Sequence, residues 1–447
     1  MSALGQLGDA IDVTTDPDVL EAHRRDQAAI AFLDPGMPSA LIRAHARADV
    51  QRVLRVAHEH GVPVVPRGAG SGLSGGANAV DGSWILALDR MTGIHVDDAA
   101  LLAVAQPGAI NNDIKSAAAE HDLWYPPDPA SAAFSTIGGN VATNAGGLCC
   151  VKHGVTRDFV LGLEAVLPGG EVVRLGGRTR KDVVGYDLAS LLVGSEGTLA
   201  VVTEATLRLV PRVTGAATLA ASFPDLAAAG RAVAAIMRRH VPSLLEIMDR
   251  ASINAVEDLE PMDLDRDAGA MLFARADEGL AAADALAELC EAHGAALVVT
   301  SDEEAEGRML LAARTLAYPA LERQGATLLD DVGVPVDRLA TLLDGIAAIA
   351  ARHAVVVGTF GHAGDGNLHP TIVYDHHDPD HAHRAARAFE DIMNLALDLG
   401  GTVTGEHGVG KLKRAAAARQ LGDAARLHQG IRAVFDPRGI LNPGAAI

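Results

Sequence analysis

Three glycine-rich loops constrain this chain more than any other feature it carries. The first reads Pro66-Arg67-Gly68-Ala69-Gly70-Ser71-Gly72-Leu73-Ser74-Gly75-Gly76 and follows the apolar run Val62 to Val65. Five glycines within nine residues can turn successive backbone N–H groups toward one anion, which makes the loop a candidate pyrophosphate cradle and weakens the alternative of a purely structural turn. Gly70, Gly72 and Gly75 also spell GxGxxG, but a Rossmann site needs an amphipathic helix directly after its glycines. Here the continuation is Ala77-Asn78-Ala79-Val80-Asp81-Gly82, a turn leading into another strand, so a Rossmann site is disfavoured.

The second loop runs from Pro126-Pro127-Asp128-Pro129-Ala130-Ser131 through Ile137-Gly138-Gly139-Asn140-Val141-Ala142-Thr143-Asn144-Ala145-Gly146-Gly147. It offers many backbone donors and few bulky side chains, as a wall for a large planar ligand would. The third, Gly194-Ser195-Glu196-Gly197-Thr198-Leu199, stands at the entrance to a strand. One such loop says little; three in one half of a chain point to a bound dinucleotide.

The rest of the sequence narrows the class. A length of 447 residues exceeds what one core usually spans, so two or three domains are expected. With 49% hydrophobic but only 3% aromatic residues, the interior must be built from Ala, Val, Leu and Ile. A formal net charge of −20 disfavours nucleic acid and anionic membranes as partners. Cys149, Cys150 and Cys290 form no CxxC pair, which argues against an iron–sulfur cluster or a disulfide framework and fits a reducing, cytoplasmic setting. The N-terminus shows no secretion signal, and no run of about 18 apolar residues is long enough to span a membrane, so any membrane contact is expected to be peripheral.

From Pro35 to about Pro211 the chain reads as sheet-dominated, with β-type runs at Val62 to Pro66, Trp84 to Leu88 and Leu199 to Val210. From about Ala216 an Ala-rich texture predicts helices at Leu226 to His240, Glu278 to His293, Glu303 to Leu321 and Val336 to His353. Strands are expected at Ala270 to Arg275, Ala296 to Thr300 and Ala354 to Phe360. The turn-rich end, Phe435 to Ile447, is expected to dock on an earlier domain. His376, His377, His381 and His383 fall in an acidic patch that reads as unstructured and solvated.

The loops Arg67 to Gly76, Pro127 to Ser131, Ile137 to Gly147 and Gly194 to Thr198 resemble the FAD-binding half of the vanillyl-alcohol-oxidase superfamily. Gly361-His362-Ala363-Gly364-Asp365-Gly366-Asn367-Leu368-His369-Pro370, Gly405-Glu406-His407-Gly408 and Asn442-Pro443-Gly444 resemble its FAD-linked oxidase branch, which holds D-lactate dehydrogenases, the glycolate oxidase flavin subunit and D-2-hydroxyglutarate dehydrogenase. The motifs occur in family order over most of the chain.

The resemblance implies an α+β architecture: an N-terminal helical segment (1–34), a PCMH-type FAD-binding domain (35–214), a cap domain with an antiparallel sheet covered by helices (215–420), and a C-terminal segment returning to the flavin (421–447). It implies that Pro66, Arg67, Gly68, Ala69, Gly70, Ser71, Gly72, Gly75 and Gly76 hold the pyrophosphate. Pro127, Asp128, Ser131, Gly138, Gly139, Asn140, Thr143, Asn144, Gly146 and Gly147 would wrap the rest of FAD, with Glu196, Gly197, Val202 and Asn442 adding contacts. The first loop has no histidine to attach flavin, so non-covalent FAD is expected, and Cys149 and Cys150 read as structural.

His362 and His369 flank the turn Gly364-Asp365-Gly366-Asn367 between two strand-like runs, so a hairpin would bring both imidazoles together. Glu406 follows on another Gly-rich loop, and a His, His, Glu set with an open position suits a catalytic Zn or Mn ion. The alternative, ordinary loop histidines, is the better reading of a lone histidine; the resemblance favours metal. Such an ion would lower the hydroxyl pKa of a bound 2-hydroxy acid. His407 is then the candidate general base, with a role in merely orienting a ligand as the alternative. Arg314, ahead of Tyr318-Pro319, resembles the arginine that takes the substrate carboxylate, although a solvated helix arginine is as good a reading of the residue alone.

The substrate expected is a short monocarboxylic D-2-hydroxy acid, lactate or glycolate. Hydroxyglutarate members would carry a lysine near Asp331-Val332-Gly333-Val334-Pro335, where this chain has Leu328-Leu329-Asp330. The electron acceptor (cytochrome, quinone, electron-transfer flavoprotein or oxygen) and the assembly, a homodimer or a complex with partner subunits, stay open. So do a sugar-lactone or aromatic-alcohol oxidase and a flavin subunit inert by itself.

Overall fold

The computed structural model describes residues 2–447; Met1 lies outside them. The chain divides into two units. Of the described residues, the first holds 2–147, 154–212 and 406–447, and the second holds 148–153 and 213–405.

In the first unit, the strands Asp12–Thr14, Ala40–Arg43, Trp84–Ala87 and Val64–Arg67 form a sheet in that order. Trp84–Ala87 runs parallel to both of its neighbours, an arrangement that needs a crossover. Helix Arg47–His60 crosses from Ala40–Arg43 to Val64–Arg67, burying Val50, Val53, Leu54 and Ala57 on one face, and the first glycine loop carries the chain on to Trp84–Ala87 between them. The N-terminal stretch expected to be helical holds one seven-residue helix, Pro17–His23, and gives Asp12–Thr14 to the sheet edge. A second, antiparallel sheet orders Ile94–Asp97, Leu102–Ala105, Val201–Arg208, Val160–Val166 and Val172–Gly176. After the first glycine loop comes strand Trp84–Ala87 and no helix, so the GxGxxG spelling does not build a Rossmann turn.

The C-terminal end docks within this unit, as its turn-rich sequence suggests. Val64 N–H donates to Ile440 O at 2.8 Å, and Asn442 N–H donates to Val64 O at 2.8 Å. The returning segment thus pairs with the strand that opens into the first glycine loop.

The second unit is built on one antiparallel sheet of eight strands, running Leu297–Ser301, Ala217–Phe223, Ala270–Ala276, Leu244–Asp249, Val356–His362, Asn367–Tyr374 and Ala326–Leu329, with Val332–Gly333 also paired to Asn367–Tyr374. Every residue of Ala217–Phe223 and Asn367–Tyr374 is buried, as happens when both faces of a sheet are covered. Helices Arg250–Leu259 and Glu304–Glu322 pack together, enclosing Leu244, Met248, Phe273 and Phe360 with Ala313, Ala317 and Leu321. Helices Leu226–Met237, Leu280–Ala292, Leu339–His353 and Pro379–Asp398 make a second helical layer.

One expectation needs correction here. Of the histidine-rich acidic patch read as unstructured, His376 and His377 lie in an exposed turn, but His381 and His383 belong to helix Pro379–Asp398, whose N-cap Asp378 accepts from Asp380 N and His381 N. The second unit runs to Gly405, and the 406–413 segment bonds to the glycine loops of the first unit. Among the described residues no helix is long and apolar enough to cross a membrane.

Candidate functional site

In the second unit the hairpin forms as its turn sequence predicts. Val356–His362 pairs antiparallel with Asn367–Tyr374, placing Phe360 opposite His369 and His362 opposite Asn367. His362 and His369 are therefore diagonal neighbours on one face, and their rings stand edge to face with centroids 5.0 Å apart. Gly366 closes the turn at φ +71°, and a methyl group there would lie 2.1 Å from Val334 O. Gly366→Ala is expected to cost about 1–3 kcal/mol, read as a lower denaturant midpoint at unchanged m-value; an unshifted midpoint would contradict this geometry.

Each imidazole faces a buried carboxylate. Glu246, fully buried on the neighbouring strand Leu244–Asp249, meets His362 Nδ1 at 2.7 Å through Oε1. Its other oxygen accepts from Arg314 Nε at 2.8 Å and Nη2 at 2.7 Å. Burial by itself would raise the Glu246 carboxyl, but the charges of His362 and Arg314 outweigh it and hold the group below its usual range. An ionised carboxylate only accepts, so His362 Nδ1 is the donor of this bond and the ring orientation is fixed by it. Asp331 is likewise fully buried, with Oδ1 3.8 Å from His369 Nδ1 and 2.8 Å from Asn367 Nδ2. Its Oδ2 accepts from Thr404 Oγ1 at 2.7 Å and Gly405 N at 2.9 Å, fixing the residues that lead directly into Glu406.

Arg314 lies in helix Glu304–Glu322 with its guanidinium 4.7 Å from the centre of the Phe360 ring. Its side chain is 12% exposed, so it is a half-enclosed cation and not a solvated helix arginine. Sequence reading named His362, His369 and Arg314 but missed Glu246, which bonds His362 and Arg314, and Asp331, whose carboxylate lies 3.8 Å from His369 Nδ1.

In the first unit the three glycine loops and the C-terminal return converge. Glu196 N–H donates to Ala142 O at 2.8 Å, and Gly194 N–H donates to Val141 O at 2.9 Å. A methyl group at Gly68 would fall 2.2 Å from Thr136 Oγ1, and one at Gly147 would strike the backbone of Asp128. Asn442 Nδ2 donates to Gly76 O and to Glu196 O, both at 2.8 Å. Several expected flavin contacts spend their side chains on the protein itself. Asn140 bonds Asn111 and Ser135, Thr143 bonds Gly139 O, and Asn144 accepts from Arg157 N.

The chemistry of these residues fits a bound FAD. Arg67 Nη1 and Asn442 Oδ1 are buried polar atoms with no hydrogen-bond partner among the described residues, one donor and one acceptor beside the first loop. Polar atoms so placed cost stability unless a ligand satisfies them. Glu196 behaves differently: its carboxylate accepts from Val409 N and Gly410 N, each at 2.8 Å. Burial pushes this carboxyl up to about 7, aided by the Asp26 charge and opposed by the two backbone bonds. Glu406 and His407 stand next along the same segment, His407 Nε2 lying 3.7 Å from Glu406 Oε1.

Comparison with known proteins gives the arrangement a family. Residues 38–176 match the FAD binding domain family, and residues 214–446 match the C-terminal domain of FAD linked oxidases. The glycolate oxidase subunit GlcD of Bacillus subtilis is 41% identical over 416 residues, covering 91% of this chain and 88% of that protein. A D-lactate dehydrogenase of Archaeoglobus fulgidus is 35% identical over 407 residues, 89% of each chain. The solved structure of p-cresol methylhydroxylase, 17% identical, superposes with a TM-score of 0.82 over 99% of this chain and 95% of its own, so the fold is of the PCMH type. The chain belongs to the FAD-linked oxidase family and is an FAD-dependent oxidoreductase.

Proposed function

We propose that the protein oxidises a small D-2-hydroxy acid, D-lactate or glycolate, to the 2-oxo acid, with non-covalent FAD as hydride acceptor. The observation that carries this reading is Glu246, which joins a preset imidazole to a half-buried guanidinium within one hydrogen-bonded unit. An orienting carboxylate behind a histidine is what a metal ligand needs, and a neighbouring arginine suits a carboxylate substrate. The names of the relatives, glycolate oxidase subunit and D-lactate dehydrogenase, support the same substrate class.

In this reading His362, His369 and Glu406 hold a divalent ion, Zn or Mn, which when bound lowers the pKa of the substrate hydroxyl. Arg314 fixes the substrate carboxylate through its guanidinium while Glu246 fixes Arg314. His407 takes the hydroxyl proton, so that the C2–H electron pair leaves as hydride without building positive charge on the carbon. The glycine loops and Asn442 bind FAD, the group that accepts the hydride. Leu328 and Leu329 offer no cation for a second carboxylate, which favours lactate or glycolate over hydroxyglutarate. The relatives named as subunits favour passage of electrons to another protein in the cytoplasm or at the membrane surface.

The test is anaerobic mixing of the metal-supplemented holoenzyme with D-lactate, L-lactate, glycolate and D-2-hydroxyglutarate, followed at the flavin band near about 450 nm. D-lactate or glycolate is expected to bleach it. A chelator should slow bleaching by about 100-fold or more, and added Zn or Mn should restore it. Bleaching indifferent to chelation would remove the metal from the mechanism. A bound flavin that none of the four acids reduces would overturn the substrate class and leave another alcohol or lactone oxidase, or a subunit that needs its partners.

A further inference from the structure

We propose that Ser74 and Glu196 are positioning residues for the turn that carries His407, acting through its backbone; the proposal rests on the reading of His407 as the base. From His407 to Leu412 the main chain is gripped from two sides. Glu196 takes the N–H groups of Val409 and Gly410, one on each carboxylate oxygen, at 2.8 Å. The Ser74 hydroxyl donates to Gly408 O at 2.9 Å and lies 3.3 Å from His407 O, while Ser74 O accepts from Lys411 N at 2.9 Å and Leu412 N at 3.1 Å. Six consecutive residues of backbone therefore take their places from two side chains and one carbonyl.

The fit leaves no slack. Gly408 sits at φ +85°, and a methyl group there would lie 3.1 Å from Glu196 Oε1. One at Gly410 would fall 2.0 Å from Ser74 O. Ser74 is 3% and Glu196 8% exposed, so water cannot readily replace either set of bonds. Ser74 belongs to the first glycine loop and Glu196 to the third, and Asn442 ties the two loops together through Gly76 O and Glu196 O. The loops that cradle FAD thus also set the base, which places the flavin and the proton acceptor on one rigid frame. On this account Glu196 is not a flavin ligand; its carboxylate is spent on residues 409 and 410.

Glu196→Gln and Ser74→Ala, made separately in the full chain, are the test. Gln keeps the size of the side chain but presents one acceptor where two N–H groups point. Each variant is expected to keep its full complement of FAD and a KM within about threefold of normal, while anaerobic flavin reduction slows by about 10-fold or more. Amide exchange at Val409 and Gly410 should quicken in Glu196→Gln. In a His407→Asn background each change should slow the reaction no more than about twofold further, because it acts only through that histidine. Full additivity in that cycle, or flavin lost in step with rate, overturns the proposal while leaving the role of His407 standing. A His407→Asn enzyme at normal rate overturns both.

Discussion

Replacing His407 with Asn is expected to lower the rate of anaerobic flavin reduction by D-lactate or glycolate by about 100- to 10,000-fold. Asn keeps a polar side chain of similar reach but cannot accept a proton near neutral pH, so the change removes the base and little else. His407 neighbours Glu406 at 3.7 Å, and its side chain is only 18% exposed, a placement suited to proton transfer away from bulk solvent. The competing role, holding a metal ligand in line, predicts a different pattern. If His407 only orients Glu406, metal content in His407→Asn should fall together with the rate, as in Glu406→Gln. If it is the base, the variant keeps metal and flavin and loses turnover alone. An unchanged rate would remove His407 from the chemistry.

What the sequence made legible was local in origin. The glycine loops announce themselves because five glycines in nine residues have few structural uses. The Gly364-Asp365-Gly366-Asn367 turn likewise fixes a hairpin register, and with it the His362–His369 pair, from a handful of neighbours. Helix Pro379–Asp398 was obscured by its charged opening, although Asp378-Pro379 is a capping signal and Ala385, Ala388, Phe389, Ile392 and Met393 repeat at helical spacing. The carboxylates behind the histidines were invisible for another reason. Glu246 stands 116 residues from His362 and 68 from Arg314 along the chain, a separation only the folded sheet closes. One clue was available. A glutamate inside the apolar run Leu244-Leu245-Glu246-Ile247-Met248 must find a cationic or hydrogen-bonding partner, since burying an unpaired carboxylate costs several kcal/mol. The docking of the 406–413 segment depends on Ser74 and Glu196, residues that carry no pairing signal in sequence.

Glu246→Ala and Glu246→Gln should separate the two tasks of that residue. The Ala variant deletes the acceptor of three hydrogen bonds and leaves the half-buried Arg314 guanidinium without its counter-ion. A stability loss of about 3–5 kcal/mol is expected, measured by denaturant titration, and expression of the variant should suffer accordingly. Gln retains the volume and one oxygen. Its amide nitrogen must face either His362 Nδ1–H or Arg314, both donors, so one of the two partners turns away. If His362 turns, metal affinity falls about 10- to 100-fold by equilibrium dialysis while KM stays near normal. If Arg314 turns, KM for the acid rises and metal affinity holds. Either result places Glu246 as the joint between metal ligand and substrate anchor. A Gln variant with normal affinity for both would mean that the buried carboxylate serves the fold alone, and Arg314 would then lose its best support as the residue that takes the substrate carboxylate.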